Sequence, residues 1–163
     1  MNDATETLLR DTARRLERAI VARDCPAMVA LQGDGRNLIL SDYDYLRDDP
    51  TAFAFEHRAA YKAQEINAVR FAFVVPQVWL WADDTIYARA VANLPLRQGE
   101  QELIAWTTYD EGDGVDYGYL PYARRPNGHP VFDDEAHKIF RAPTRPFDHY
   151  PGLRLLRALN ADE

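Results

Sequence analysis

Asp42 and Asp44 alternate with Tyr43 and Tyr45 in the stretch NLILSDYDYL. On an extended strand, side chains two apart share a face, so the acids face one side and the tyrosines the other. Apolar walls around Asp42 would desolvate its carboxylate and raise its pKa toward that of a useful general base. The Tyr43 hydroxyl could then donate to a substrate oxygen. His57 falls on a helical stretch, on the side shared by Phe53, Ala60 and Tyr61, and adds a second proton-exchanging group. The alternative is structural. Asp42 would then end a strand that opens into the charged Arg47, Asp48 and Asp49, and His57 would be a packed or surface histidine.

A second acid-rich stretch, TTYDEGDGVDYGYL, invites a calcium-loop interpretation. An EF-hand loop needs a glycine at its sixth position and carboxylates at its first and twelfth. With Gly114 sixth, those positions hold Tyr109 and Leu120, so the match fails. Gly112 and Gly114 between two strand-like runs instead predict a hairpin tip, because glycine accepts the positive φ of tight turns. The segment HPVFDDEAH places Asp133 and His137 four apart, with His129 and Glu135 nearby, but it lacks the H-E-x-x-H pattern of a zinc helix. No P-loop, G-x-G-x-x-G or G-x-S-x-G is present. Nucleotide cofactors and serine hydrolysis therefore lack support, and no cofactor is expected.

Trp79, Trp81, Trp106 and Tyr87 give the strand-rich half a large aromatic surface. Such side chains line pockets for apolar ligands, and they equally build a core or a dimer face. Trp79 and Trp81 share one side of their strand, and Val78 and Leu80 take the other.

The elements that must position these residues follow from periodicity. Residues 3–23 read as a helix, with Asp3 as N-cap and Glu6 three places on, and with Leu9, Ala13, Leu16 and Ile20 at helical spacing. Pro26 suits the first turn of a short second helix, PAMVALQ. GDGRN is a turn, NLILSDYDYL a strand, and Asp49-Pro50 opens a third helix running to about Gln64. AVRFAFVVPQVWLW is a long strand with Pro76 at a bulge or bend. TIYARAVANL, QELIAWTTY and VDYGYLPYARR are further strands, and PNG is a turn. The prolines after Asp133 keep the chain extended until PGLRLLRALN, a short amphipathic helix with Leu153, Leu156 and Leu159 inward. Helices first and an antiparallel sheet afterwards mean α+β. The expected layout is one domain over 1–133, with an extension over 134–163 packed on it.

Composition narrows the function classes. The chain of 163 residues is 47% apolar, enough for one folded core. A net charge of −7 argues against a broad nucleic-acid surface. Cys25 is the sole cysteine, so no internal disulfide forms, and a cytoplasmic location with an inert thiol is expected. The first residues lack an apolar signal core, and no apolar run nears the roughly 20 residues that span a bilayer.

Residues 19–44, AIVARDCPAMVALQGDGRNLILSDYD, resemble the SnoaL-like and ketosteroid-isomerase-like superfamily, relatives of nuclear transport factor two. The matching pieces are Ala22-Arg23-Asp24, then Val29-Ala30-Leu31, then Leu38 to Asp42. The resemblance implies N-terminal helices packed in a strongly curved antiparallel sheet, a cone-shaped half-barrel with one deep pocket, commonly as a homodimer. It implies cofactor-free isomerisation, dehydration or cyclisation of an apolar small molecule, with Asp42 as base and His57 or Tyr43 assisting. The family's isomerases also use a tyrosine on the first helix, and this helix has none. A non-catalytic ligand-binding or dimeric protein-interaction module is the other expectation.

Overall fold

The computed structural model describes residues 1–83, 85–91, 95–132, 140, 141, 147 and 149–160. Helix α1 spans Asp3–Val21, with Leu9, Ala13, Leu16 and Ile20 buried as their spacing predicts. Its N-cap is Asn2 and not Asp3: the Asn2 side chain accepts from Thr5 N at 2.9 Å. The helix ends at Ala22, and Arg23 turns the chain with φ of 70°.

The segment expected as a second helix is strand β1, Ala27–Gly33. It pairs without interruption with β2, Arg36–Asp42, around a two-residue turn in which Asp34 and Gly35 both have positive φ. That combination defines the tight hairpin turn favoured by Asp-Gly. The run Met28-Val29-Ala30-Leu31 looked helical because it is apolar throughout. It is apolar throughout because both faces of the strand are covered. Strand β2 stops at Asp42, whose Oδ1 accepts from Asp44 N at 2.8 Å. Tyr43 and Tyr45 therefore part ways, with Tyr43 64% exposed and Tyr45 buried.

Helix α2, Asp49–Glu65, is capped by the Asp48 carboxylate, which accepts from Thr51 N. Its buried face carries Ala52, Phe55, Glu56, Ala59, Ala60 and Ala63. Of the residues grouped on one side of this helix, Phe53, His57 and Tyr61 are exposed and Ala60 is buried. Phe53 and His57 lie 4.3 Å apart, ring to ring, on the surface.

Strand β3, Ala68–Ala82, is the spine of the sheet. One edge pairs with β5, Glu100–Asp110, over most of its length. The other edge pairs with β1 as far as Val74, and from Gln77 with β4, Thr85–Ala90. Pro76 sits in the gap between those two partners, where a missing N–H costs no ladder bond. Strand β6, Gly114–Pro121, follows β5 through the acid-rich hairpin tip as expected. There Asp110 Oδ1 accepts from Gly112 N and Asp113 N, and Asp110 Oδ2 pairs with Arg70 at 3.2 Å. Burial pushes the Asp110 carboxyl up. The bonds from Gly112, Asn2, Asp113 and Arg70 outweigh that and hold it below its ordinary value. The short strands β7, Ala123–Arg124, and β8, Pro130–Val131, form a separate hairpin around the Pro126-Asn127-Gly128 turn. Strand β9, Phe140–Arg141, adds to β6.

The molecule is α+β, with a mostly antiparallel sheet ordered β2-β1-β3-β5-β6-β9 and β4 also on β3. The helices do not share one face of it. Leu8, Leu9, Leu16 and Ile20 of α1 pack on Met28, Ala30, Ala72, Val74 and Trp106. Helix α2 and the terminal helix α3, Leu153–Asn160, pack on the alternate residues Val29, Leu31, Phe71, Phe73 and Val75. In α3 the fully buried side chain is Leu155, while Leu153, Leu156 and Leu159 are partly buried. Tyr150 ties the C-terminal segment to the sheet, donating to the Gly118 and Trp106 carbonyls. No helix among the described residues is long and apolar enough to cross a membrane.

Glu56 is the one carboxylate buried between α2, α3 and the loop after β2 among the described residues. It accepts from Tyr45 Oη at 2.7 Å and Leu155 N at 3.0 Å. Burial pushes its carboxyl above the ordinary 4.5, against these two bonds, which pull it down. The folded chain thus holds this proton more tightly than the unfolded chain does. Its contribution to stability is complete below 4.5 and is lost as pH rises through the raised folded value. Glu56→Gln keeps an acceptor for Leu155 N and cannot titrate. We expect it to remove that decline from a pH series of urea melts while changing mid-acid stability by no more than about 1 kcal/mol. An unchanged pH slope would assign the decline to another group.

Candidate functional site

A cleft of about 1060 Å³ opens beside the C-terminal end of α1. Its walls are the last turn of α1, Cys25, the start of β5 and the β7–β8 hairpin, with Pro95 and Leu96 at the rim. The register that sets Leu103 against Pro121 brings Glu102 beside Tyr122, and Tyr122 N donates to Glu102 O at 3.2 Å.

Glu102 is 4% exposed and both its oxygens are engaged. Arg124 Nε donates to Oε1 at 2.8 Å and Arg124 Nη2 to Oε2 at 2.7 Å, a two-point clasp. Tyr122 Oη donates to the same Oε2. Burial first, and then the hydrogen bond to Glu102 and its charge, push the Tyr122 hydroxyl far above its ordinary value, so it stays protonated. Arg124 also donates to the Gly128 carbonyl at 2.8 Å, which fixes the hairpin arm. Gln101 bridges the Glu102 and Tyr122 carbonyls. Cys25 is half-buried, and burial pushes its thiol up despite the nearby Arg124 charge. This agrees with the inert thiol expected for it.

The chemistry available here follows from those engagements. A general base needs a lone pair within reach of a substrate, and this carboxylate is buried with both oxygens already accepting hydrogen bonds. A nucleophile needs a depressed pKa, and the thiol and phenol are shifted the other way. Arg23 and Arg125 remain exposed at the rim, without an ion pair among the described residues. Ile20, Val21, Pro95 and Leu96 add apolar surface beside them.

The residues expected to do chemistry lie elsewhere. Asp42 ends β2 with its side chain 12% exposed, and its Oδ2 accepts from Arg58 at 3.3 Å. His57 lines a shallow, mostly apolar groove of about 440 Å³ with Leu40, Arg58, Tyr61 and Lys62. Arg58 thus connects the neighbourhoods of Asp42 and His57, while Tyr43 projects into solvent. The aromatic set is divided. Trp79 is fully buried against Trp81, Tyr119, Phe147 and Tyr150 on the α3 face. Trp106 is fully buried under α1, on the opposite face. Trp81 is 40% and Tyr87 59% exposed, and Tyr87 stands opposite Leu80, on the face away from Trp79 and Trp81. No cluster of potential metal ligands occurs among the described residues. Asp133, Glu135 and His137 lie outside them.

Glu102, Tyr122 and Arg124 escaped sequence reasoning. The available signal was an acid one residue before the apolar run Leu103-Ile104-Ala105-Trp106, and a tyrosine and an arginine two apart in YAR. Only the strand register unites them. Comparison with protein-family models, curated proteins and solved structures finds no match.

Proposed function

We propose that this chain is a non-catalytic binding module whose cleft takes an amphipathic anion, a small molecule with one carboxylate or phosphate and an apolar body. One observation carries the reading. The only ionisable groups buried in the cleft walls, among the described residues, are fully engaged or held neutral, while Arg23 and Arg125 are uncommitted beside apolar surface. A guanidinium matches a carboxylate or phosphate in shape as well as charge. The reading includes a cytoplasmic location, which the lone thiol of Cys25 supports.

A second reading keeps the SnoaL-like resemblance, a cone-shaped sheet and acid–base turnover of an apolar substrate. It is favoured by the low exposure of Asp42 and by the apolar groove that holds His57 beside Arg58. In it Asp42 is the base, and His57 and Tyr43 orient the substrate.

One experiment separates the two: amide NMR titration with octanoate and with phenyl phosphate. Saturable shifts at Arg23, Arg125 and Gly128 are expected. Arg23→Ala with Arg125→Ala should weaken binding at least about tenfold, the scale of losing a charged hydrogen bond. Shifts centred on Asp42 and His57, or none at the cleft, would sink the cleft reading.

A further inference from the structure

Strand β2 is the outer edge of the sheet on the β1 side, and its sequence is Arg36-Asn37-Leu38-Ile39-Leu40-Ser41-Asp42. Edge strands are usually blunted by a proline, a bulge or a central charge. This one pairs with β1 in continuous register, and its charges sit only at its two ends. Ile39, at its centre, is 41% exposed.

The direction of its free backbone groups follows from the hairpin. A two-residue turn closes on a hydrogen-bonded pair, here Gly33 with Arg36, and bonded pairs alternate along the ladder. Arg36, Leu38, Leu40 and Asp42 therefore turn their backbone groups toward β1. Asn37, Ile39 and Ser41 turn theirs outward, away from the sheet.

The order of side chains reads the same from either end once charge is paired with opposite charge. If a second copy of β2 lies antiparallel with Ile39 opposite Ile39, Leu38 meets Leu40, Asn37 meets Ser41 and Arg36 meets Asp42. The outward N–H and C=O groups of Asn37, Ile39 and Ser41 meet their counterparts in the same register. Shifting the dyad to Leu38 sets Arg36 opposite Leu40 and leaves Asp42 unmatched. Shifting it to Leu40 sets Leu38 opposite Asp42. Cross-strand pairing favours apolar with apolar and opposite charges together, so only the Ile39 register satisfies every position.

The same arrangement accounts for the outward aromatic side of α2. Helix α2 packs over β1 and β3, with Leu38 and Leu40 of β2 at the margin of its core. In the paired sheet the two α2 helices stand over β1 and its copy, three strand spacings or about 14 Å apart. That exceeds the roughly 8–10 Å of direct helix packing. The gap is filled by side chains that the single chain leaves in solvent, Tyr61 and His57 of each copy above the Leu38–Leu40 ladder. Along that groove Lys62 is paired with Glu65 within each chain, and Asp42 lies between Arg58 of its own chain and Arg36 of the other copy.

We infer that β2 is a self-recognition edge: two copies of this chain join β2 to β2 antiparallel, centred on Ile39, into one continuous sheet. The interface is isologous, with the same patch on both partners. It lies apart from the Glu102 cleft, so it stands whether or not that cleft binds an anion.

The test measures mass and register together. Sedimentation equilibrium of the full chain is expected to give twice the 18.7 kDa chain mass. Ile39→Lys sets like charges opposite each other on the dyad and should raise the dissociation constant at least about tenfold. Its circular dichroism should be unchanged, since this side chain is half-exposed already. In a Cys25→Ser background, Ile39→Cys should cross-link to itself on mild oxidation. Asn37→Cys and Ser41→Cys should link to each other in a mixture, and neither to itself. The disulfide span of about 4.4–6.8 Å between Cα atoms reaches the roughly 5.5 Å of a bonded antiparallel pair. A monomer at 0.1 mM or above, estimated as the useful range for so small an interface, would overturn the inference. So would a dimer that ignores Ile39→Lys, or one in which Asn37→Cys links to itself.

Discussion

Gly33→Ala is expected to lose at least about 3 kcal/mol of stability, read as a lowered urea midpoint with an unchanged slope. A Cβ built on Gly33 would lie 2.5 Å from the carbonyl oxygens of both Ile66 and Asn67, and 2.6 Å from the Ala68 Cα. All three obstacles are backbone, so no side-chain rotation relieves them. They belong to the exit from α2 into β3, which crosses close over the end of β1. The β1–β3 ladder shifts register there, between Gln32 and Gly33. Asn67 is already in the left-handed region with φ of 50°, and its Nδ2 donates to Asp34 Oδ2 at 2.8 Å. Room for a methyl would require separating β1 from β3 where Gly33 pairs with Ala68. Gly35→Ala is the control. Nothing lies within 4 Å of its Cβ, and only its φ of 70° opposes the change. That strain costs about 1 kcal/mol. Equal losses at the two positions would mean that the close crossing at Gly33 relaxes freely.

The contrast between these glycines shows where sequence reasoning reaches its limit. Gly35 was legible, because Asp-Gly between apolar runs is a hairpin signal. Giving that signal its full weight would have made PAMVALQ a strand. The competing cues were Pro26, a good first-turn residue, and an apolar run whose period cannot separate a buried helix from a central strand. Gly33 was not legible, since its need to be glycine comes from residues 66–68, brought over it by the fold. The same division runs through the sites. Residues 100–121 were legible as a hairpin, and α1 as a helix with its apolar stripe correctly placed. Along α2 the apolar residues are small. Its inward stripe of alanines with Phe55 and Glu56 carries less signal than the outward Phe53 and Tyr61, which drew the eye to His57. Glu56, with its buried bonds, was the neighbour that mattered to packing. Glu102 could not be singled out from the many acids of the chain without knowing that Tyr122 and Arg124 would face it.

That dependence on register makes Arg124 the more informative variant. Arg124→Ala is expected to cost about 3 kcal/mol near neutral pH, because it strands a buried carboxylate whose strongest partner is gone. The low end of the range applies, since the Arg124 side chain is 32% exposed and water can reach part of the space it leaves. Removing the carboxylate together with its partners should cost much less. The triple change Glu102→Leu, Tyr122→Phe and Arg124→Met replaces polar groups with apolar ones of similar bulk, and no charge is left in a buried site. Thermal melts of the two variants and the parent chain provide the comparison. A triple variant as unstable as Arg124→Ala would show that the cluster contributes through its own bonds, beyond mutual neutralisation. The same pair of variants bears on binding. Arg124 also holds the Gly128 carbonyl, so its loss frees the hairpin that forms one wall of the cleft. Anion binding should fall in Arg124→Ala even though Arg23 and Arg125 remain. If binding survives there at full strength, the rim arginines act without a preorganised wall, and the cleft is a surface patch and no built site.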